Sequence, residues 1–196
     1  NVMKKLTLLL AALLLTATNV IAHGAAWSLD NTNSSIHFVS IKKDSIGELH
    51  HFKALEGDID HHGNASLIID LSSVETNIPI RNQRMQNLLF NTAKFAKAVV
   101  SMNVDVKQLK AMQAGETRVL NVKAELSLSG VKKTIDATVQ VLKNNNSGVT
   151  VTTLHPIIVN ATDFGLEPGV KALQKIAGLP SIATSVPVTF NLVFVP

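Results

Sequence analysis

Apolar side chains recur at every second position along several long stretches of this sequence, and this period constrains the fold most. A period of two is typical of β-strands with one buried face. The long series are Ala98/Val100/Met102/Val104/Val106, Leu120/Val122/Ala124/Leu126/Leu128, Ile135/Ala137/Val139/Val141 and Val186/Val188/Phe190/Leu192/Phe194. Shorter series occur at Ile36/Phe38 and Ala65/Leu67/Ile69/Leu71, and weaker strands are predicted near residues 47–60 and 148–159.

Turn residues separate these series, and two short helices interrupt them. The predicted turns are His62-Gly63-Asn64, Ala114-Gly115-Glu116, Ser129-Gly130 and the run from Asn144 to Gly148. One helix is predicted near Arg81–Phe90. The other follows Pro168, with Val170, Leu173 and Ile176 in helical spacing and Gly178 as its stop.

About eight amphipathic antiparallel strands joined by short turns predict an all-β fold, either a sandwich or a closed barrel. Several strands reach nine or ten residues, which favours a barrel with a deep interior. An eight-stranded barrel of this kind can hold one small ligand. No internal repeat or linker divides residues 23–196, so they are predicted to form a single domain.

The first 22 residues have the pattern of a secretory signal peptide. Met3-Lys4-Lys5 is a basic start, Leu6–Ala17 is an apolar run too short to span a membrane, and Val20-Ile21-Ala22 fits a cleavage site. An uncleaved anchor is the alternative. Cleavage would remove two lysines and no acid, lowering the formal charge from +4 to +2. We therefore expect an exported, periplasmic protein that does not span the membrane.

Composition excludes several classes of function. The chain has no Cys, which rules out disulfide scaffolds, thiolate metal sites and thiol catalysis. Only 4% of the residues are aromatic, and no Lys/Arg run is longer than a pair, so nucleic-acid binding is not expected. No Gly-x-Ser-x-Gly or His-Glu-x-x-His motif occurs, so we assign no catalytic residue and no metal ligand.

An ordered set of short motifs resembles the YceI-like domain family. These are Trp27-Ser28-Leu29-Asp30, Ser34–Phe38, Phe52 through Ile59, Ile69–Thr76, Arg81–Met85, Leu89-Phe90 with Phe95, Leu126–Lys133, Asp163–Leu166 and Val186-Pro187-Val188. The resemblance implies an extended, lipocalin-like barrel that holds a polyisoprenoid or similar lipid chain in an apolar channel. It implies no cofactor beyond such a bound lipid or an isoprenoid quinone.

The sequence departs from that family at one helix. Many members have Arg-Asp followed by His-Leu, whereas this chain has Arg81-Asn82 and then Arg84-Met85. A Phe-Pro or Tyr-Pro pair is here Phe95-Ala96. The missing acid and histidine put a polar head-group contact in doubt, but not the barrel.

The main functional hypothesis is a hydrophobic tunnel. Its candidate lining residues are Ile36, Phe38, Phe52, Phe90, Met102, Val104, Leu126, Leu128, Val139, Phe164, Leu173, Ile176 and Phe190. The alternative is that these side chains merely fill the barrel core. Arg81 and Arg84 are candidates for binding a diphosphate or quinone head group, because guanidinium groups pair well with phosphate; a solvated helix face is the alternative.

Two histidine pairs flank a predicted strand. His50-His51 and His61-His62 could form a His–His–Asp metal site with Asp58 or Asp60, but surface positions are the simpler interpretation. The predicted function is thus a lipid carrier or sequestering protein whose partner is an isoprenoid lipid. A lipid-acting or metal-dependent enzyme and an envelope stress protein without ligand are the alternatives. The oligomeric state is left open between monomer and homodimer.

Overall fold

Twelve β-strands form much of residues 24–196, the part of the chain that the computed structural model describes. They are β1 (Ala25–Leu29), β2 (Ser35–Lys42), β3 (Ile46–Phe52), β4 (Leu55–Asp60), β5 (Asn64–Asp70), β6 (Val74–Glu75), β7 (Lys97–Asn103), β8 (Thr117–Leu128), β9 (Val131–Lys143), β10 (Val149–Thr153), β11 (Ile157–Asn160) and β12 (Ser185–Val195). The predicted signal peptide, residues 1–22, lies outside the described residues.

Eight of these strands close into an antiparallel barrel, which confirms the predicted fold. The order around the barrel is β1-β4-β5-β7-β8-β9-β10-β12. The last strand pairs back with the first through Ser28↔Val195 and Leu29↔Phe194. The remaining strands extend the wall: β2 pairs with the middle of β12, β3 and β6 follow β2, and β11 pairs with the start of β12.

The longest hairpin, β8–β9, shows how the alternating pattern and the turn residues act together. Every residue of β8 from Thr117 to Leu128 is in register with β9. Ser129 and Gly130 connect the two strands, and both have positive φ, 52° and 78°. A two-residue loop with two positive φ angles matches the twist of a hairpin, so the predicted Ser-Gly turn is confirmed.

Three α-helices and one π-helix complete the described part of the chain apart from short 3-10 turns. The predicted helix near residues 81–90 is α1 (Pro79–Arg84) continued by a π-helix (Met85–Phe90), and the helix after Pro168 belongs to α3 (Glu167–Ile176). The third, α2 (Val106–Ala111), was not predicted. Single 3-10 turns lie at Leu71–Ser73 and Ala161–Phe164. No helix formed by residues 24–196 is long and apolar enough to cross a membrane.

The unpredicted helix shortens one predicted strand. The alternation of apolar residues predicts a strand that continues through Val104 and Val106, but the strand ends at Asn103. The backbone N–H of Val104 still donates to the carbonyl of Gly63 at 2.8 Å, in the register of the β5–β7 ladder, before the chain leaves the sheet. Asp105 then caps α2 by accepting from the N–H of Gln108 at 3.0 Å. Alternation alone did not reveal this cap.

The helices lie at opposite ends of the barrel. The π-helix and α3 pack together at one end, and their backbones approach closely because Gly169 has no Cβ. A Cβ at Gly169 would lie 2.6 Å from the carbonyl oxygen of Leu88. Helix α2 covers the other end, where Leu109 and Met112 are buried.

Candidate functional site

The barrel interior contains two adjoining cavities. The helical-end cavity, about 190 Å³, lies beside the π-helix and α3, and the α2-end cavity, about 340 Å³, lies beside α2. Both cavities are lined by Leu67, Val100, Ile135, Ile157 and Phe190. Since the same side chains form part of both walls, the two cavities are neighbouring parts of one interior.

The helical-end cavity is lined by hydrocarbon and aromatic side chains alone. Phe38 and Phe52 have ring centroids 5.3 Å apart, and Phe52 and Phe90 are 5.9 Å apart. Phe90 of the π-helix and Val170 of α3 line this end. Such a wall offers contact area and no hydrogen-bonding side chain, so it suits an aliphatic chain.

The α2-end cavity has an apolar wall and a polar rim. Leu109 and Met112 line it from α2. Its polar lining residues are Ser66, Asn103, Asp105, Gln108, Arg118 and Asn121. Arg118 donates from Nε to Oε1 of Glu116 at 2.7 Å. This cavity therefore offers hydrogen-bonding groups that the helical-end cavity lacks.

A buried lysine lies at the same end as α2. Lys143 donates from Nζ to the carbonyl oxygen of Ser147 at 2.9 Å, and its Nζ lies 5.2 Å from the ring centroid of Trp27. Burial, with Lys110 as a further cause, lowers the pKa of Lys143. The Trp27 Nε1 donates to the same carbonyl of Ser147 at 2.9 Å. The carbonyl thus joins Trp27 and Lys143 to the β9–β10 loop.

Ten of the thirteen predicted lining residues lie on the cavity walls. Those on the helical-end wall are Ile36, Phe38, Phe52, Phe90, Leu126 and Leu128; those on the α2-end wall are Met102, Val104 and Val139; and Phe190 lies on both. Apart from Phe90 on the π-helix and Val104 just after β7, these side chains lie inside because alternate strand residues face the same side. Their contact with a ligand stays a prediction.

Phe164, Leu173 and Ile176 line neither cavity. Phe164 is buried at the end of a 3-10 turn, Leu173 packs against the core, and Ile176 is 50% exposed. The prediction treated the apolar face of α3 as part of the channel. Instead, it is the residues around the start of the helix, Leu166 and Val170, that reach the cavity.

Helix α2 supplies cavity-wall residues, Gln108 and Leu109, that were not among the predicted lining residues. Val106, Leu109 and Met112 recur at intervals of three, which is a helical spacing, and Asp105 stands before them as a cap. That signal was present but overlapped the strand alternation through Val106. Arg118 was missed for another reason: it lies two positions before Leu120, on the same face of β8, but its charge does not mark it as a cavity residue.

The two arginines proposed for head-group binding line neither cavity. Arg81 donates from Nη1 to Oε2 of Glu48 at 3.0 Å and from Nη2 to the carbonyl of Thr76 at 2.7 Å. Lys42 also contacts Oε2 of Glu48, at 3.0 Å. Burial opposes ionisation of Glu48, but the hydrogen bonds from Lys42 and Arg81 hold its pKa below the usual value. Arg81 therefore connects α1 to β3, and a head-group role for Arg81 or Arg84 stays a prediction.

The histidine pairs do not come together as a metal site. Within residues 24–196, no group of three or more His, Cys, Asp or Glu side chains could hold a metal ion. His50 is 2% exposed and lies 2.8 Å from Ser40 Oγ through its Nε2, whereas His61 and His62 are exposed in the β4–β5 turn. Burial, with Arg81 nearby, lowers the pKa of His50 to about 4. His50 is thus a buried neutral residue, whereas the simpler interpretation of the sequence placed it on the surface.

The comparisons with known proteins agree with this geometry. The model of the YceI-like domain matches residues 27–194. The chain belongs to the YceI-like domain family. A polyisoprenoid binding domain from Saccharophagus degradans, implicated in plant cell wall breakdown, is 39% identical to this YceI-like domain. The two structures align with a TM-score of 0.86, covering 88% of this chain and 100% of that one.

More distant structures share the fold of this YceI-like domain. Burkholderia cenocepacia BcnA is 20% identical, with a TM-score of 0.63 over 84% of this chain and 98% of that chain. A Campylobacter jejuni YceI protein is 14% identical, with a TM-score of 0.52 over 74% and 82% of the two chains. No curated protein matches the sequence.

The structure explains one departure from the pattern expected of a YceI-like domain. Asn82 accepts from the N–H and the hydroxyl of Thr76 at 2.8 and 2.6 Å, and it donates to Oε1 of Glu75 at 2.8 Å. Hydrogen bonds from Asn82, Lys53 and the N–H of Asn77 lower the pKa of Glu75 to about 2. An aspartate could not donate to Glu75, so the asparagine fits this loop better.

Proposed function

We propose that this YceI-like domain is an exported lipid-binding protein that holds one polyisoprenoid or isoprenoid-quinone chain in the barrel, as a carrier or for sequestration. The observation that carries the proposal is the pair of adjoining cavities that share five wall residues. A long apolar chain fits an interior of this kind because it can extend from one cavity into the other.

The energetics support a chain of several isoprene units. Each buried CH₂ contributes about 0.8 kcal/mol. Association and ordering of the chain cost about 4–15 kcal/mol, so a short prenyl chain would bind weakly and a longer one more tightly. Few polar groups in the wall have to lose water when the chain enters, since polar lining residues are confined to the α2-end cavity.

The likeness to a known binder supports the same class of ligand. The domain from Saccharophagus degradans is a polyisoprenoid binding domain, and its 39% identity extends over most of this chain. The ten predicted lining residues that lie on the cavity walls are the proposed contacts. Binding is favoured over catalysis because a chain in the helical-end cavity would meet hydrocarbon side chains rather than an acid or base.

Export to the periplasm is supported by the signal-peptide pattern of residues 1–22. The expected mature protein begins near His23. Sequencing the amino terminus of the protein recovered from a periplasmic extract tests this, and a start within residues 1–22 would contradict it. Light scattering of the same sample decides between monomer and homodimer.

Native mass spectrometry of protein released from the periplasm tests the binding function. We expect one bound molecule per chain, with the mass of an isoprenoid lipid. An empty barrel that also fails to take up added polyprenols would contradict the proposal and favour an envelope protein without ligand. Conversion of an added lipid to a product of different mass would favour the enzymatic alternative.

A further inference from the structure

The barrel wall has an unpaired seam between β7 and β8. Strands β7 and β8 pair only from Val99↔Ser127 to Ser101↔Glu125. Beyond that point β8 continues as far as Thr117, and it remains paired with β9 along its other edge. The first half of β8 therefore has no strand partner on the side that faces the end of β7 and α2.

The chain after the seam is held on the β5 side. Val104 stays in register with the β5–β7 ladder, because its N–H donates to the carbonyl of Gly63 at 2.8 Å. Gly63 has φ of 93°, and a Cβ there would overlap the Val104 carbonyl oxygen, so the close approach depends on glycine. Asp105 then starts α2. The chain therefore enters a helix within four residues of Ser101, where the pairing with β8 stops.

The side chains along the seam line the cavity and are also exposed to solvent. Leu120 lines the α2-end cavity and is nevertheless 36% exposed. Arg118, on the same side of β8, also lines the cavity and has a 39% exposed side chain. Asp105 and Gln108 are exposed and line the cavity from the opposite side. A wall residue that contacts both solvent and cavity marks an opening.

The rest of the wall is covered in a different way. On the far side of the β8–β9 hairpin, β9 also lacks a strand partner before Val139, but β11 and the 3-10 turn Ala161–Phe164 pack against it. At the helical end, α3 packs on the π-helix at Gly169. At the seam between β8 and the β7–α2 segment, exposed residues on both edges line the α2-end cavity, which the partly buried lining residues near the β9 edge do not match.

We propose that the lipid enters and leaves through this seam, which we call the portal and define by Val104, Asp105 and Gln108 on one side and by Arg118 and Leu120 on the other. The inference rests on the proposed lipid-binding function and adds to it the orientation of the bound lipid. The chain lies with its tail in the helical-end cavity, where every lining side chain is apolar, and with its polar end at the portal, where Gln108 and Arg118 can hydrogen-bond it.

A pair of neighbouring cysteine variants tests the portal. The protein has no Cys, so a single introduced thiol can be labelled selectively. Leu120→Cys places the thiol in the portal, and Val119→Cys is the matched control, because Val119 is adjacent on β8, is 60% exposed and lines neither cavity. Each variant is modified with a polyethylene-glycol maleimide that is too large to enter the barrel. Thermal melting confirms that both adducts remain folded.

The readout is the exchange of bound geranylgeraniol for its deuterated form, followed by native mass spectrometry. We expect the adduct at position 120 to slow exchange about tenfold or more relative to the adduct at 119, with the same occupancy at equilibrium. A third adduct, at Ile80→Cys, samples the helical end, where Ile80 is 51% exposed.

Equal exchange rates for the 119 and 120 adducts, or slowing by the Ile80→Cys adduct alone, would overturn the portal and leave lipid binding intact. Failure of the unmodified protein to take up geranylgeraniol or any longer prenol would overturn the binding function, and the portal with it. The two failures are therefore distinguishable in one set of measurements.

Discussion

The two ends of the barrel differ in how they are closed. The helical end is sealed by two helices in backbone contact at Gly169, and its cavity has only apolar lining residues. The α2 end is covered by a six-residue helix, has polar lining residues, and adjoins a seam where β8 lacks a partner. A closed apolar end and an open polar-rimmed end are what a binder of a lipid with a head group needs.

Strand β8 contributes to the walls of both cavities, so the same Leu→Asp substitution at two of its positions compares how well the two ends exclude water. Leu126 lines the helical-end cavity and is 6% exposed, whereas Leu120 lines the α2-end cavity and is 36% exposed. Leu126→Asp buries an unpaired carboxylate and should lower the free energy of unfolding by about 3–5 kcal/mol. Leu120→Asp can hydrate its charge and should cost less than about 1 kcal/mol. Urea denaturation measures both, and equal losses would show that the two ends are equally closed.

Acid should weaken the helical end first. His50 has a pKa of about 4 in the folded protein and an ordinary value near 6.5 when unfolded. Between these values the unfolded chain binds the extra proton, so stability falls as the pH drops from 6.5 to 4, by about 3 kcal/mol in total. His50→Gln should flatten the stability curve over this window.

Exposed His61 provides the control for that titration. His61→Gln makes the same chemical change at an exposed position and is the matched variant. The charged and titratable groups that act on His50 are Arg81, Glu48, Lys42 and His51, and all of them remain in both variants. Parallel curves for His50→Gln and the wild type would contradict the burial of a neutral histidine.

The contact between α3 and the π-helix should be sensitive to one methyl group. In Gly169→Ala the Cβ would meet the Leu88 carbonyl oxygen at 2.6 Å and the Leu89 Cα at 2.8 Å, so the helices must separate. We expect a loss of about 1–3 kcal/mol in the free energy of unfolding. Gly47→Ala is the control, since its Cβ would meet only Val39 Cγ1 at 3.5 Å. Similar melting temperatures for the two variants would mean that the helical end is loosely closed.

The smallest expected effect lies where α1 contacts the loop before it. Asn82→Asp removes the donor to Glu75 and places a second carboxylate beside it, so stability should fall by about 1 kcal/mol. The pKa of Glu75, about 2 in this protein, should rise. A carboxyl-detected NMR titration of Glu75 measures the shift, and an unchanged pKa would contradict the role assigned to Asn82.

The barrel was predictable because it depends on a local period. Leu126, Leu128 and Val139 face the interior as the alternation indicated, and Ser129-Gly130 forms the turn between β8 and β9. The seam was not predictable, because the alternation of apolar residues continues to Val104, whereas the hydrogen-bond ladder between β7 and β8 stops at Ser101. Where two strands stop pairing is decided by long-range contacts between them, which leave no periodic signal in the sequence.

The site was predictable in part for the same reason. Side chains on strands could be assigned to the interior, whereas Ile176 and Leu173 could not be placed without knowing how α3 docks. Arg81 of α1 was a reasonable head-group candidate by charge, but Glu48 of β3 is its partner. Pairing between distant charges is decided by the tertiary structure.

The dependence of binding on chain length tests the central claim most directly, which is that the two cavities hold one continuous chain. Prenols of increasing length are titrated into the delipidated protein, and native mass spectrometry reports the stoichiometry. We predict that affinity rises about tenfold or more with each added isoprene unit until the interior is filled, with one molecule bound per chain. Affinity that does not depend on length, or two short prenols bound at once with no gain for a longer one, would contradict it.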